Sequence, residues 1–73
     1  MLSKQYILNQ LIGQRVHIAQ QGGGATLSVA VTNSREAATL SAAGEDVFEV
    51  TRQDGGKMYY SLGHVITINP SPA

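Results

Sequence analysis

The sequence predicts a mainly β fold: a short N-terminal helix, then a strongly bent five- or six-stranded antiparallel sheet that closes into a small barrel. Apolar residues first recur at helical spacing, up to Gly13, and then alternate with polar residues at a period of two. A strong hairpin signal, Asp54-Gly55-Gly56, lies between two alternating segments in the second half. At 73 residues the chain predicts a single small domain.

The N-terminal segment, residues 1–13, is typical of a short amphipathic helix. Ser3 can cap the first turn, and Gly13 can adopt the left-handed conformation that ends a helix. The apolar positions at helical spacing are Ile7, Leu8, Leu11 and Ile12. A helix this short is not stable alone, so we expect it to pack against the open end of the barrel.

Two alternating segments follow, separated by Gly22-Gly23-Gly24. The first begins at Arg15, and the second runs from Ala25 to Thr32. The glycines predict a loop with positive φ angles rather than a phosphate-binding loop, because no helix and no suitably spaced lysine follow. Residues 21–35 therefore form either an inserted hairpin or part of long, bent strands.

The remaining strands are predicted from the alternation of apolar and polar residues, which is weaker in some segments than in others. Residues 38–42 favour a strand through Thr39 and Ser41, although a short helix through Ala38 and Ala42 is an alternative. Beyond the Asp-Gly-Gly turn, one face of the next strand carries Met58, Tyr60 and Leu62. A closing strand ends before Pro70, which leaves a short tail over residues 70–73.

Two segments resemble the Sm-like family, which includes the bacterial Hfq proteins and shares an SH3-like barrel. Residues 38–50 resemble the part of the domain where one strand turns through an acidic loop into the next, and residues 59–65 resemble the second Sm motif. The resemblance implies an Sm-like domain over residues 1–73, with a barrel over residues 14–69 that assembles into rings. Members of this family often bind single-stranded RNA.

The same resemblance implies an RNA-binding site around Gly63 and His64, where His64 can donate to a phosphate and Gly63 lets a nucleotide approach. A tight turn that needs glycine, with a solvated imidazole, is the structural alternative. Tyr60 can stack on a base or belong to the core. Asp46 can accept hydrogen bonds from a base or simply lie in an acidic turn. Lys57 is the only basic residue nearby in sequence.

Assembly is predicted from the closing segment, Val65 to Asn69, which alternates β-branched residues and carries no lysine. In the resembled family the last strand of one subunit pairs with the fourth strand of its neighbour. The resemblance therefore implies a cyclic homo-oligomer of about five to seven subunits. The expected interface residues are Met58, Tyr59, Val65, Ile66, Thr67 and Ile68.

Several functions are disfavoured. Five basic and five acidic residues give zero formal charge, which is unfavourable for generic nucleic-acid binding. The chain has no cysteine and no recognisable catalytic group, so we expect no enzyme activity, no metal site and no cofactor. No apolar run suits a membrane span or a signal peptide, and a cytoplasmic location is expected. The alternative function is a structural or adaptor β-barrel that assembles with itself or binds a protein partner without nucleic acid.

Overall fold

The computed structural model describes residues 2–72, so Met1 and Ala73, the outer ends of the predicted helix segment and tail, lie outside the described residues. One helix and six strands follow each other in the order α1 (Lys4–Gln10), β1 (Arg15–Gln21), β2 (Thr26–Val31), β3 (Ala38–Ala43), β4 (Val47–Thr51), β5 (Lys57–Ser61) and β6 (Val65–Asn69). Short 3₁₀ turns over Gly22–Gly24 and Leu62–His64 precede β2 and β6. The predicted mainly β fold with one short N-terminal helix is confirmed.

The start of α1 follows the prediction and its end differs slightly. The hydroxyl of Ser3 accepts a hydrogen bond of 3.0 Å from the Tyr6 amide, as an N-cap does. The helix ends at its C-cap, Leu11, so Gly13 lies two residues beyond the cap and is not the first residue after it. Gly13 does have a positive φ of 95°, and its amide donates to the Leu40 carbonyl at 2.8 Å. This glycine thus turns the chain from the helix into β1.

β1 and β2 form a complete antiparallel hairpin, paired from Val16 with Val31 to Gln21 with Thr26. All three glycines of the connecting turn have positive φ angles, between 61° and 92°. Of the two alternatives for residues 21–35, the structure thus has the hairpin. β3 pairs with the other side of β1 through two residue pairs, Arg15 with Thr39 and Val16 with Ala38.

β3, β4 and β5 form an antiparallel meander, so residues 38–43 are a strand and not a helix. The pairing of β3 with β4 shifts between Leu40 and Ala42, which produces a bulge at Ser41. The Asp-Gly-Gly turn joins β4 to β5 as predicted. Gly55 has a φ of 88°, and the Asp54 carboxylate accepts from the Gly56 amide at 2.7 Å.

The prediction of a purely antiparallel sheet is wrong at β6, which pairs in parallel with β2. The pairings place β2, β5 and β6 in the same direction. The single 3₁₀ turn between β5 and β6 does not reverse the chain, which continues across the molecule to the opposite side of the sheet. A mixed sheet results.

The sheet has the order β5-β4-β3-β1-β2-β6. β5 and β6 are its two edges, and in the described part of the chain they do not pair with each other. The six-stranded sheet is therefore not closed into a barrel, in contrast to the predicted closure.

The core lies between one face of the sheet and α1, which packs against β3 and β6. We call this the core face, and the opposite side of the sheet the outer face. The buried apolar side chains are Leu8, Leu11, Val16, Leu27, Val29, Val31, Leu40, Phe48, Val50, Leu62 and Val65. Tyr60 is half-buried, with its ring stacked on Phe48 at 5.5 Å between centroids. The expected core position of Tyr60 is thus partly realised, whereas Met58 on the same strand is 38% exposed.

Candidate functional site

The two edge strands are the most prominent surface features of the fold. β5 (Lys57–Ser61) and β6 (Val65–Asn69) have the same length of five residues. Within residues 2–72, each pairs with a neighbouring strand on one side only, so each has backbone amides and carbonyls without a strand partner on its outer side. Natural proteins usually protect such edges with lysine, proline or covering loops. β6 carries no charged side chain, and Pro70 follows only after its last residue.

A groove of about 220 Å³ runs between α1 and β6. We refer to it as the α1/β6 groove; its lining residues are Lys4, Ile7, Val65, Ile66, Thr67 and Ile68. The register of β6 against β2 shifts between Leu27 and Ser28, so Ile66 is a bulged residue without a partner on β2. Ile66 is 65% exposed, which is unusual for so large an apolar side chain.

The predicted interface residues divide into exposed and buried groups. Met58, Tyr59 and Ile66 are exposed large apolar side chains on the two edges, and Thr67 is exposed as well. Ile68 is half-buried and packs against the core. Val65 is only 2% exposed, because its side chain enters the core opposite Leu27. Alternation alone could not reveal this, since the sequence does not show that the next residue, Ile66, forms a bulge.

The predicted RNA-binding turn holds Gly63 and His64, both exposed, in the 3₁₀ turn before β6. The fold brings Asp46 to this turn, because its carbonyl accepts from the Leu62 amide at 2.8 Å. It also brings Lys4, whose ammonium donates to the Leu62 carbonyl at 3.0 Å. The pocket of about 290 Å³ beside the turn is lined by Ser3, Lys4, Gln5, Glu45, Leu62 and Gly63.

Lys4 is a basic residue that the sequence argument missed. It lies 58 positions from Leu62, and nothing local in the sequence relates the two. Only the packing of α1 at this end of the sheet brings its ammonium to the turn. The acidic residue in the same pocket, Glu45, offsets part of that positive charge.

Gly63 is not required by the backbone of its turn. Its φ is not positive, and a Cβ atom there would have Ser61 Oγ as its nearest neighbour, at 3.6 Å. Neither a strained backbone nor a close neighbouring atom therefore requires glycine at this position. The structural alternative of a tight turn that needs glycine is not supported.

Two other predicted RNA-binding residues lie elsewhere. Lys57 begins β5 next to the Asp-Gly-Gly turn, at the far end of the strand from Gly63, and its ammonium lies 3.4 Å from the Glu49 carboxylate. Tyr60 lies on the core face, because its partner on β4 is the buried Phe48. Lys57 lies on the outer face, two residues from Tyr59. The structure therefore brings together Asp46, Gly63 and His64, but not Lys57 or Tyr60.

A hydrogen-bonded cluster on the outer face was also not anticipated. The Glu49 carboxylate accepts from the Ser41 hydroxyl and from the Tyr59 hydroxyl, both at 2.8 Å. The Thr51 hydroxyl donates to Ser41 at 3.0 Å, so the cluster joins β3, β4 and β5. The bond from Ser41, followed by that from Tyr59, lowers the pKa of Glu49, while the bond to Glu49 raises the pKa of Tyr59. This cluster fixes the side chain of Tyr59 on the outer face of the β5 edge.

Among residues 2–72, no three histidine or acidic side chains lie close enough together to hold a metal ion. The one helix in this range is far too short to cross a membrane. No protein-family model, curated protein or solved structure matches the chain.

Proposed function

We propose that the protein is a ring-forming, Sm-like assembly module, in which β6 of one copy pairs with β5 of the next. The observation that carries the proposal is the open sheet, with two edge strands of equal length at its opposite ends. A contact between two different edges leaves the joined copies with one free β5 edge at one end and one free β6 edge at the other, so the chain of contacts ends only when a ring closes.

The character of the edges supports this pairing. An isolated copy is open to uncontrolled pairing of β6 with strands of other chains, because β6 has no charged side chain to prevent it. The large exposed apolar residues at the edges, Met58, Tyr59 and Ile66, would become covered in a ring. A 73-residue chain without cysteine also gains stability from association that it cannot obtain from a disulfide.

Sedimentation equilibrium of the unmodified chain at micromolar concentration tests the proposal. We expect one closed species of about five to seven subunits and no continuous series of larger polymers. Thr67→Pro removes one amide from β6, and we expect this variant to sediment as a monomer or to aggregate. A stable, monodisperse monomer of the unmodified chain would contradict the proposal.

Binding of single-stranded RNA at the 3₁₀ turn is a second candidate function, favoured by the position of Lys4. Its ammonium and the exposed His64 imidazole lie on the same turn, and a ring repeats that turn once per subunit around its axis. A gel shift with short oligo-U and oligo-A at low salt tests this function. We expect Lys4→Ala and His64→Ala each to weaken binding several-fold, His64→Ala without changing assembly, and added salt to weaken it further.

The control for the RNA experiment is Lys57→Ala, because Lys57 lies at the other end of β5 beside Glu49. Binding that depends on Lys57 as strongly as on Lys4 would remove the turn from the site. No shift with either oligonucleotide would favour the alternative, a structural or adaptor module that assembles without nucleic acid.

A further inference from the structure

We infer that Met58 of one copy enters the α1/β6 groove of the next copy, with the two edge strands running in parallel. The inference rests on the proposed function and specifies the contact that it requires. It follows from the faces of the two edge strands, their directions and the lining of the groove.

The faces of β5 are fixed by its pairing with β4. Met58 lies opposite Val50 and Tyr60 opposite Phe48, and both partners are buried in the core. Met58 and Tyr60 therefore point to the core face, whereas Lys57, Tyr59 and Ser61 point to the outer face.

The α1/β6 groove lies on the core face of β6. Val65 and Ile68 pair with the buried residues Leu27 and Val29, which places them on that face. α1 packs on the same face, and Ile7 forms the helix side of the groove. A strand added beside β6 would thus direct the side chains of one of its faces into this groove.

The directions of the edge strands determine which face of an added β5 strand points into the groove. β5 and β6 run in the same direction within one chain. A second copy that continues the sheet with its core face on the same side must therefore place its β5 parallel to β6. Turning the second copy over gives antiparallel pairing and exchanges its faces.

Chemical matching favours the parallel arrangement. In it, Met58 meets the apolar side chains of the groove, Ile7, Val65 and Ile68, while the outer faces of β5 and β6 also continue each other. In the antiparallel arrangement the outer face of β5, with the Lys57 ammonium, turns toward a groove that already contains Lys4. The Lys57 ammonium and the Glu49 carboxylate, which lies 3.4 Å from it on the same face, would then lose part of their hydration beside the Lys4 ammonium.

Met58 is the more exposed of the two core-face side chains of β5. Tyr60 is stacked on Phe48, whereas Met58 is 38% exposed and its sulfur lies 3.9 Å from Arg52 and from the Tyr60 hydroxyl. Methionine adapts to irregular apolar spaces because its side chain is unbranched and flexible.

Cross-linking tests the contact directly, because the natural chain contains no cysteine. Copies with Met58→Cys are mixed with copies with Ile7→Cys, allowed to assemble, and treated with a short thiol-reactive cross-linker. The matched control mixes Tyr59→Cys with Ile7→Cys copies. We expect a strong mixed dimer with Met58→Cys and at least a several-fold weaker one with Tyr59→Cys.

A second measurement uses the unmodified side chains. Met58 and Met1 are the only methionines, so copies with labelled methionine methyl groups can be mixed with copies with labelled isoleucine methyl groups. We expect intermolecular nuclear Overhauser effects between Met58 and Ile7 or Ile68. Assembly with equal or stronger Tyr59 cross-linking, or without these effects, overturns the inference but leaves the proposed function intact. A chain that does not assemble overturns both.

Discussion

Replacing Ile66 by lysine should dissociate the assembly while leaving the fold of each copy intact. Ile66 is a bulged residue of β6 that has no partner on β2 and is 65% exposed in the single chain. A lysine there adds a charge to the one edge strand that lacks it, which is how natural edge strands avoid pairing. Its side chain remains solvated in the monomer, so the substitution acts on association and not on folding.

The magnitude follows from the area that a neighbour would cover. Complete burial of an isoleucine side chain contributes about 1.5–3 kcal/mol, so the exposed 65% of Ile66 contributes about 1–2 kcal/mol to each junction. This corresponds to a roughly 5- to 30-fold increase in the dissociation constant of one contact. A ring of about five to seven junctions would lose about 5–14 kcal/mol in total, before the cost of desolvating the new ammonium.

Sedimentation velocity at micromolar concentration measures the effect, and circular dichroism shows whether the fold persists. The matched control is Ile12→Lys, because Ile12 is also exposed, at 45%, but lies in the turn between α1 and β1. We expect the control to assemble like the unmodified chain. An assembly of Ile66→Lys with unchanged size and concentration dependence would show that Ile66 does not lie at the contact between copies.

Three other predictions concern stability. Leu40→Ala removes a fully buried side chain and should lower the free energy of unfolding by about 2–5 kcal/mol, out of the roughly 4–11 kcal/mol expected for a domain of this size. Urea unfolding at a fixed protein concentration measures this loss, and a loss below about 1 kcal/mol would contradict the central position of Leu40. The pKa of Glu49 is lowered in the folded state, so its stabilising effect should be present at neutral pH and lost as the pH falls below the ordinary pKa of 4.5. Glu49→Gln should therefore lower the Tm at pH 7 and reduce the loss of Tm on acidification. An unchanged pH profile of the Tm would disprove the role of the cluster. Gly55→Ala should destabilise the fold by about 1–2 kcal/mol because Gly55 has a positive φ, whereas Gly63→Ala should have little effect. Equal changes of Tm in the two variants would show that the two turns are misassigned.

Features that depend on neighbours in sequence could be predicted from the sequence. The N-cap at Ser3, the period-two alternation of β1 and β2, and the Asp-Gly-Gly turn all depend on interactions within a few residues. The prediction of a strand and not a helix at residues 38–42 is also confirmed, because Thr39 and Ser41 suit an extended backbone.

Features that depend on distant contacts could not be predicted. The parallel pairing of β6 with β2 arises only because the 3₁₀ turn sends the chain to the far edge, and alternation carries no information on strand direction. The same limit applies to Val65, which was expected at an interface and lies in the core, and to Lys4, which reaches the turn through the packing of α1. A local pattern shows which faces a strand has, but not what covers each of them.

Hydrogen exchange of the edge-strand amides tests most directly whether β5 and β6 pair between copies. At concentrations where the protein is assembled, we expect alternate amides of Lys57–Ser61 and Val65–Asn69 to exchange slowly, and to exchange much faster on dilution to the single chain. The amide of Leu40, which donates to the Gln14 carbonyl at 2.9 Å within the same chain, serves as the internal reference, since its exchange should change far less. Edge amides that exchange equally fast at all concentrations would contradict the account.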